Sequence, residues 1–239
     1  MKTAINCNLK YKKPWLSCLK DVKNIGKLKI YIGDITLLKN DAEFFGICYK
    51  SLSDFRKRKC DRYKQIPDKA RCVGAGMMLD IALSEYGLSE RDSIYILGEN
   101  GKPSIDGHPE ICFNLSHSGD RVMCAISDTP VGCDVEKIKP YRKNLDQIAR
   151  RFFDENERKK IFIDAPKEAE VFYQIWTLKE SYIKYTGEGM KCSFESFSVV
   201  DDLGEFAIKG NPDIGLISFK DGKYSFGAAY DNSGSHGLK

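Results

Sequence analysis

A mixed α/β fold (α/β or α+β) in two similar lobes is predicted for this 239-residue chain by three features. Strand-like and helical stretches interleave along it, and neither type dominates. In each half a long stretch of helical periodicity precedes a pair of strands. Finally, FNLSHSGDRVMCAISD in the first half and ISFKDGKYSFGAAYD in the second both read strand, turn, strand and end on Asp. That echo is short enough for chance to produce, so it supports duplication without establishing it. The length suffices for one large core or two moderate ones.

Taken in order, Lys27 to Leu37 opens with charged and apolar residues in alternation and predicts a strand. Asn40 to Leu52 is a short helix or loop, and Asp54 to Lys64 is a basic run. From Pro67 to Tyr86, Val73, Met77, Met78, Ile81 and Ala82 recur at helical spacing, with Gly87 as the stop. Short strands follow at Ser93–Leu97 and Ile111–Leu115, separated by the turn Gly101-Lys102-Pro103. Arg121–Ser127 and Val131–Glu136 are strands joined by the turn Asp128-Thr129-Pro130, which sets the expected lobe boundary: residues 1–128 and 129–239. Helices are expected at Leu145–Phe152 and Pro166–Thr186. Strands are then expected at Phe194–Val200, Glu205–Ile208, Ile214–Phe219 and Tyr224–Tyr230, with Asp221-Gly222 as a hairpin turn.

Composition narrows the function. Hydrophobic residues make up 42% and aromatics 11%, as in a folded globular chain, and the formal net charge is only +4. Such a balance argues against a dedicated nucleic-acid binder. No apolar run is long enough to span a bilayer, and MKTAINCNLKYKKPWLSCLK lacks the continuous apolar stretch of a secretory signal. The nine cysteines are odd in number, scattered, and contain no CxxC pair. A reduced cytoplasmic protein using cysteine as a small core residue is the expectation.

Four segments carry chemistry. In Val131-Gly132-Cys133-Asp134-Val135-Glu136, strand alternation puts Val131, Cys133 and Val135 on a core face. Asp134 and Glu136 then share the opposite face with Gly132. Adjacent carboxylates repel unless a cation lies between them, and a hard ion such as Mg²⁺ suits oxygen ligands. From the hexapeptide alone, an edge strand with solvated acids is the more frequent explanation. Trp176, Glu180 and Lys184 fall at i, i+4 and i+8 on one helical stripe; a surface Glu–Lys pair and a core tryptophan would also explain them. Phe113-Asn114-Leu115-Ser116-His117-Ser118-Gly119 reads as a strand end running into a polar turn able to meet an anion. Lys57-Arg58-Lys59-Cys60-Asp61-Arg62, with Arg71 opening the next helix, is a basic segment suited to a phosphomonoester, although most such runs are solvated surface.

Together these segments resemble the Sfp-type 4′-phosphopantetheinyl transferase family. Its hallmark is G-x-D-x-E followed some forty residues later by W-x-x-K-E-[SA]-x-x-K-x-x-G-x-G. The chain has Gly132-Cys133-Asp134-Val135-Glu136, then Trp176 through Gly189 in the matching pattern. The resemblance runs from about Lys57 to Val200; the two-part hallmark is specific, the GKP turn and basic run are weak. It implies two α/β lobes related by a pseudo-twofold, with coenzyme A in the cleft. It implies Mg²⁺ (or Mn²⁺) on Asp134, Glu136 and Glu180, and Lys184 on the pyrophosphate oxygens. By the same resemblance Lys59, Arg62, Arg71, Ser116 and His117 bind the coenzyme A phosphates, with Arg58 an alternative to Lys59. Lys102 and Pro103 lie near the adenine nucleotide. Glu180 and Lys184 are the catalytic pair, and an apo acyl or peptidyl carrier protein is the acceptor. The length, about twice that of the small trimeric members, implies a monomer.

Two rivals stay open at this level. A non-catalytic coenzyme A or nucleotide-binding module would keep the carboxylates as structure. A metal-dependent phosphohydrolase would release 3′,5′-ADP without a carrier. Neither explains why the carboxylate strand, the WxxKE helix and the Ser-His segment occur together.

Overall fold

A computed structural model of the chain describes residues 14–139, 144–163, 167–189 and 192–233. Its first half carries β1 (Leu19–Ile25), β2 (Leu28–Asp34), α1 (Thr36–Asn40), α2 (Ala42–Lys50), α3 (Asp54–Asp61) and α4 (Ile66–Ser84). β3 (Tyr95–Leu97), β4 (Pro103–Ile105), β5 (Cys112–Ser118) and β6 (Arg121–Ser127) follow. The second half carries β7 (Val131–Lys137), α5 (Leu145–Phe152), α6 (Glu155–Phe162), α7 (Glu168–Thr186), β8 (Ile214–Asp221) and β9 (Tyr224–Asp231).

One antiparallel sheet runs β1-β2-β6-β5 and another β7-β9-β8; β3 and β4 form a separate ribbon. Both main sheets share one connectivity. A strand leads into a long helix, two strands return, and the last of them inserts between the other two. This gives β2-β6-β5 around α4 and β7-β9-β8 around α7. The echo seen in the sequence is thus a repeated connectivity.

Burial explains why β6 reads as a continuous apolar run. Val122, Cys124 and Ile126 pack with Val73, Met77 and Met78 of α4. Met123 and Ala125 on the opposite face join Ile30 and Ile32, and meet Val131, Cys133, Val135, Phe226 and Ala228 of the second sheet. The layers therefore run α4, first sheet, second sheet, α7. A strand covered on both faces loses the alternation of a half-solvated one.

Three expectations change. β1 was not anticipated, because its half-exposed LKDVKNI sequence is defined by pairing with β2. The basic run is a helix, α3, started by Ser53, whose side chain accepts from Arg56 N. The strands expected across 194–208 reduce to a 3₁₀ turn at Phe194–Ser196 and one bridge between Val200 and Phe206. Main-chain bonds from Asp201 N to Glu205 O, Ala207 N to Val199 O and Lys209 N to Ser198 O tie 198–209 together, and side chains hold 194–199. Glu157 accepts from Val199 N at 2.8 Å, and Lys179 donates to the carbonyls of Phe194 at 2.9 Å and Phe197 at 2.6 Å. Pro166, the expected start of α7, and Cys7 lie outside the described residues.

Eight cysteines are described and all are free thiols; six are buried in the cores, as expected. Among the described residues no helix is long and apolar enough to cross a membrane.

Candidate functional site

The site begins with the docking of α7 on β7 and β9. A β-carbon on Gly132 would collide with the carbonyl oxygen of Ser181 and the amide of Tyr185, and would lie 2.9 Å from the carbonyl carbon of Lys184. One on Gly227, which pairs with Asp134, would lie 2.6 Å from the carbonyl of Thr177. Glycine at both positions lets helix backbone rest directly on strand backbone. Gly132, on the same strand face as Asp134 and Glu136, therefore makes room for α7. The helix ends at Gly187, in the left-handed conformation (φ 73°).

This docking brings Lys184 to the carboxylate strand, its Nζ donating to Asp134 Oδ1 at 2.6 Å and to the Cys133 carbonyl at 3.2 Å. Asp134 is buried, while the Lys184 side chain keeps 29% exposure. Asp134 Oδ1 also accepts from Ser116 Oγ at 2.7 Å, and Oδ2 is buried with no hydrogen-bond partner. Burial pushes Glu136 above the ordinary carboxylate range. Repulsion from Asp134 adds to this, and a 2.8 Å hydrogen bond from Ser118 opposes it. Burial raises Glu180 as well; the charge of Lys184 opposes the rise, while Asp134 and Glu136 reinforce it. Burial works to lower Lys184, but Asp134 outweighs it and holds the ammonium above its usual value.

Asp134, Glu136 and Glu180 thus share one electrostatic neighbourhood. Among the described residues no three His, Cys, Asp or Glu side chains are close enough to hold a metal ion by themselves. An orphaned, buried carboxylate oxygen beside two more acids still fits a divalent cation, because Mg²⁺ typically takes one or two carboxylates and completes its shell with phosphate oxygens and water.

A cationic group lies on the other side of β5. His117 is lowered from its ordinary value first by burial and then by the charges of Arg71, Lys59 and Lys184. Arg71 pairs with Asp68 and donates to the Gly119 carbonyl at 3.2 Å. Lys59 is one of the charges acting on His117, while Arg58 lines a surface pocket with Lys57, Arg91 and Tyr95. Arg62 is exposed at the C-cap of α3, where its backbone N–H donates to the Cys60 carbonyl, and its side chain makes no hydrogen bond or ion pair among the described residues.

Two expectations are redirected. Ser116 and His117 lie inside β5, paired with Met123 and Val122, so only residues 119–120 form the turn that was expected to begin there. Ser116 is turned toward Asp134 and away from the cationic group. Lys102, expected beside an adenine, donates to the carbonyls of Val131 at 3.0 Å, Lys184 at 2.6 Å and Tyr185 at 3.3 Å. Its neighbour Pro103 opens β4 opposite Leu97.

Sequence reasoning missed three contributors. Asn114 and Ser118 bridge β5 to β7. Lys179, inside the WxxKE segment, forms an ion pair with Glu157 at 2.8 Å in which both side chains are fully buried. Trp176 stacks on Phe194 and Phe172 beside that pair. The signal for the first two was present in the period-two spacing Asn114, Ser116, Ser118, which matches the spacing of Asp134 and Glu136.

A family model described as the 4′-phosphopantetheinyl transferase superfamily matches residues 130–227, the segment holding β7 and α7. A 4′-phosphopantetheinyl transferase of Bacillus subtilis is 35% identical over 162 residues, covering 66% of this chain and 71% of that protein. The 4′-phosphopantetheinyl transferase Sfp of Bacillus subtilis strain 168 is 35% identical over 150 residues, covering 62% of this chain and 66%, just under two thirds, of its own length. A solved holo-(acyl-carrier-protein) synthase from Bacillus anthracis, in complex with CoA (3′,5′-ADP), overlaps 43% of this chain and 95% of its own, at 21% identity and a TM-score of 0.37. That last likeness is too slight to carry weight.

Proposed function

The chain belongs to the 4′-phosphopantetheinyl transferase family, and we propose that it moves 4′-phosphopantetheine from coenzyme A to a serine of an apo acyl or peptidyl carrier protein, releasing 3′,5′-ADP. One observation supports this most. The glycine-bedded docking of α7 sets Lys184 on Asp134, and sets Glu180 where both strand acids act on it. The two parts of the sequence hallmark meet there.

The residues divide the work as follows. Lys59, Arg71 and His117 form a cradle for the coenzyme A phosphates, the 3′-phosphate above all, with Arg62 at its rim. Lys102, bonded to the carbonyls of Val131, Lys184 and Tyr185, and Pro103 at the start of β4 border the cleft beside the nucleotide. Asp134, Glu136 and Glu180 would hold Mg²⁺, or Mn²⁺ in its place, together with phosphate oxygens and water, and the ion would supply charge neutralisation at the pyrophosphate. The acceptor serine gives its proton to Glu180, directly or through a water, and its oxygen bonds to the β-phosphorus as the pyrophosphate P–O bond breaks. A carboxylate raised by burial is a better proton acceptor than an exposed one. Negative charge growing on the phosphate oxygens draws the Lys184 ammonium, which binds that state more tightly than the ground state.

The lobes are assigned to residues 1–128 and 129–239, with a monomer as the working unit because one chain supplies every group named. Buried free thiols and a mild positive charge suit cytoplasmic work on an acidic carrier, the partner proposed here in place of nucleic acid or a membrane. Glu180→Gln tests the chemistry. Transfer to apo carrier, followed by mass spectrometry, is expected to vanish while coenzyme A binding by calorimetry stays near wild type. Near-normal turnover would overturn the assignment of Glu180.

A further inference from the structure

β5 and β7 run side by side, yet among the described residues no main-chain ladder joins them; there β5 pairs with β6 alone, and β7 with β9 alone. The amides on the free edge of β7 would be costly if buried without acceptors. Side chains of β5 supply them at a constant offset of 19 residues. Cys133 N donates to Asn114 Oδ1 at 2.9 Å, Val135 N to Ser116 Oγ at 3.3 Å, and Lys137 N to Ser118 Oγ at 3.1 Å. The two serines do more than accept. Each has a single hydroxyl proton, and accepting from the amide leaves that proton free to point elsewhere. Ser116 gives it to Asp134 Oδ1 at 2.7 Å, and Ser118 gives it to Glu136 Oε2 at 2.8 Å. The same two-bond unit thus occurs twice, two residues apart, once for each strand acid. Its effect shows at Asp134, where Ser116 and Lys184 both take Oδ1 and Oδ2 is left without a partner.

We propose that Ser116 and Ser118 are positioning residues that orient Asp134 and Glu136 toward the divalent ion, and that Asn114 completes the seam without acting on either acid. This rests on the metal reading of the strand acids given above. It reassigns the Ser116 hydroxyl from the phosphate cradle to the carboxylate strand. Removing a hydrogen-bond partner of a ligating carboxylate typically weakens metal affinity about 10–100-fold.

The test uses Mn²⁺ binding to the full chain in the presence of coenzyme A, read from the free-ion paramagnetic signal, alongside the thermal midpoint and coenzyme A affinity in chelator. Ser118→Ala is expected to weaken Mn²⁺ at least tenfold while chelator-state coenzyme A affinity is kept. Ser118→Thr, which retains the hydroxyl, restores the affinity. Asn114→Ala lowers the midpoint and leaves Mn²⁺ affinity unchanged. A Ser118→Ala protein that loses thermal stability but binds Mn²⁺ as wild type does would reduce the serines to seam-fillers and overturn the proposal. If the wild-type chain itself takes up no Mn²⁺, the metal reading fails first and the proposal with it, so the two failures are told apart by the wild-type measurement.

Discussion

Substituting Gly132 by alanine probes how the two halves of the site are joined. The added methyl has no flexible side chain to push aside, because its neighbours are the helix backbone at Ser181, Lys184 and Tyr185. At 2.9 Å, the Lys184 carbonyl carbon alone lies well inside the roughly 3.5–4.0 Å of a relaxed carbon–carbon contact. With Ser181 and Tyr185 closer still, α7 must retreat by about 1 Å, a displacement that can cost an active site on the order of 100-fold in rate. Lys184 and Glu180 move with it, and the 2.6 Å bond from Lys184 to Asp134 cannot survive such a shift unaltered. Overpacking of this kind costs about 1–3 kcal/mol, occasionally more. For a chain of this size each kcal/mol lowers the melting midpoint by roughly 2–4 °C. Urea titration and carrier-modification rates, measured in parallel, are therefore expected to fall together. Gly46→Ala is the control, since a β-carbon there meets nothing within 4 Å in the middle of α2, and it should be neutral or mildly stabilising. A Gly132→Ala protein with wild-type stability and rate would refute the direct backbone contact between α7 and β7.

Two other outcomes follow from the same structure. Lys179→Ala leaves the buried Glu157 carboxylate without its counter-ion and should cost about 3–5 kcal/mol by urea titration, whereas Glu180→Gln, one residue on, should leave the unfolding midpoint close to wild type while transfer is lost. His117 is solvent-exposed at the rim of the cationic group, yet its folded pKa lies below its ordinary 6.5, so its neutral form contributes stability that is complete above that value and is lost as pH falls through the lower folded value; His117→Asn should flatten the stability profile across that window, and an unchanged slope would contradict an imidazole held neutral beside Arg71 and Lys59.

How much of this was legible depended on the range of the interactions. β6 was found residue for residue, because Gly119-Asp120 and Asp128-Thr129-Pro130 punctuate both its ends and its apolar run leaves few alternatives. Asp134 and Glu136 on the face opposite Val131, Cys133 and Val135 followed from strand alternation alone. Residues 194–200 misled for the opposite reason. Their apolar content favours a strand, but the ion pair of Lys179 and Glu157 captures their backbone groups from two distant helices. Lys179 could not be singled out in the same way, since nothing nearby in sequence announces Glu157, 22 positions earlier. The serine seam shows the same limit. Ser116 and Ser118 look like loop hydroxyls until β7 is laid beside β5, and only then does their spacing match that of the acids they hold.

The central claim is group transfer to a carrier, and a single incubation measures it. The chain is mixed with coenzyme A, Mg²⁺ and a panel of apo acyl and peptidyl carriers, and each carrier is weighed by intact mass spectrometry with and without chelator. A phosphopantetheine increment on at least one carrier serine, absent with chelator and in Glu180→Gln, is the predicted result. Release of 3′,5′-ADP with no carrier modified, or no reaction at all with any carrier, would contradict it.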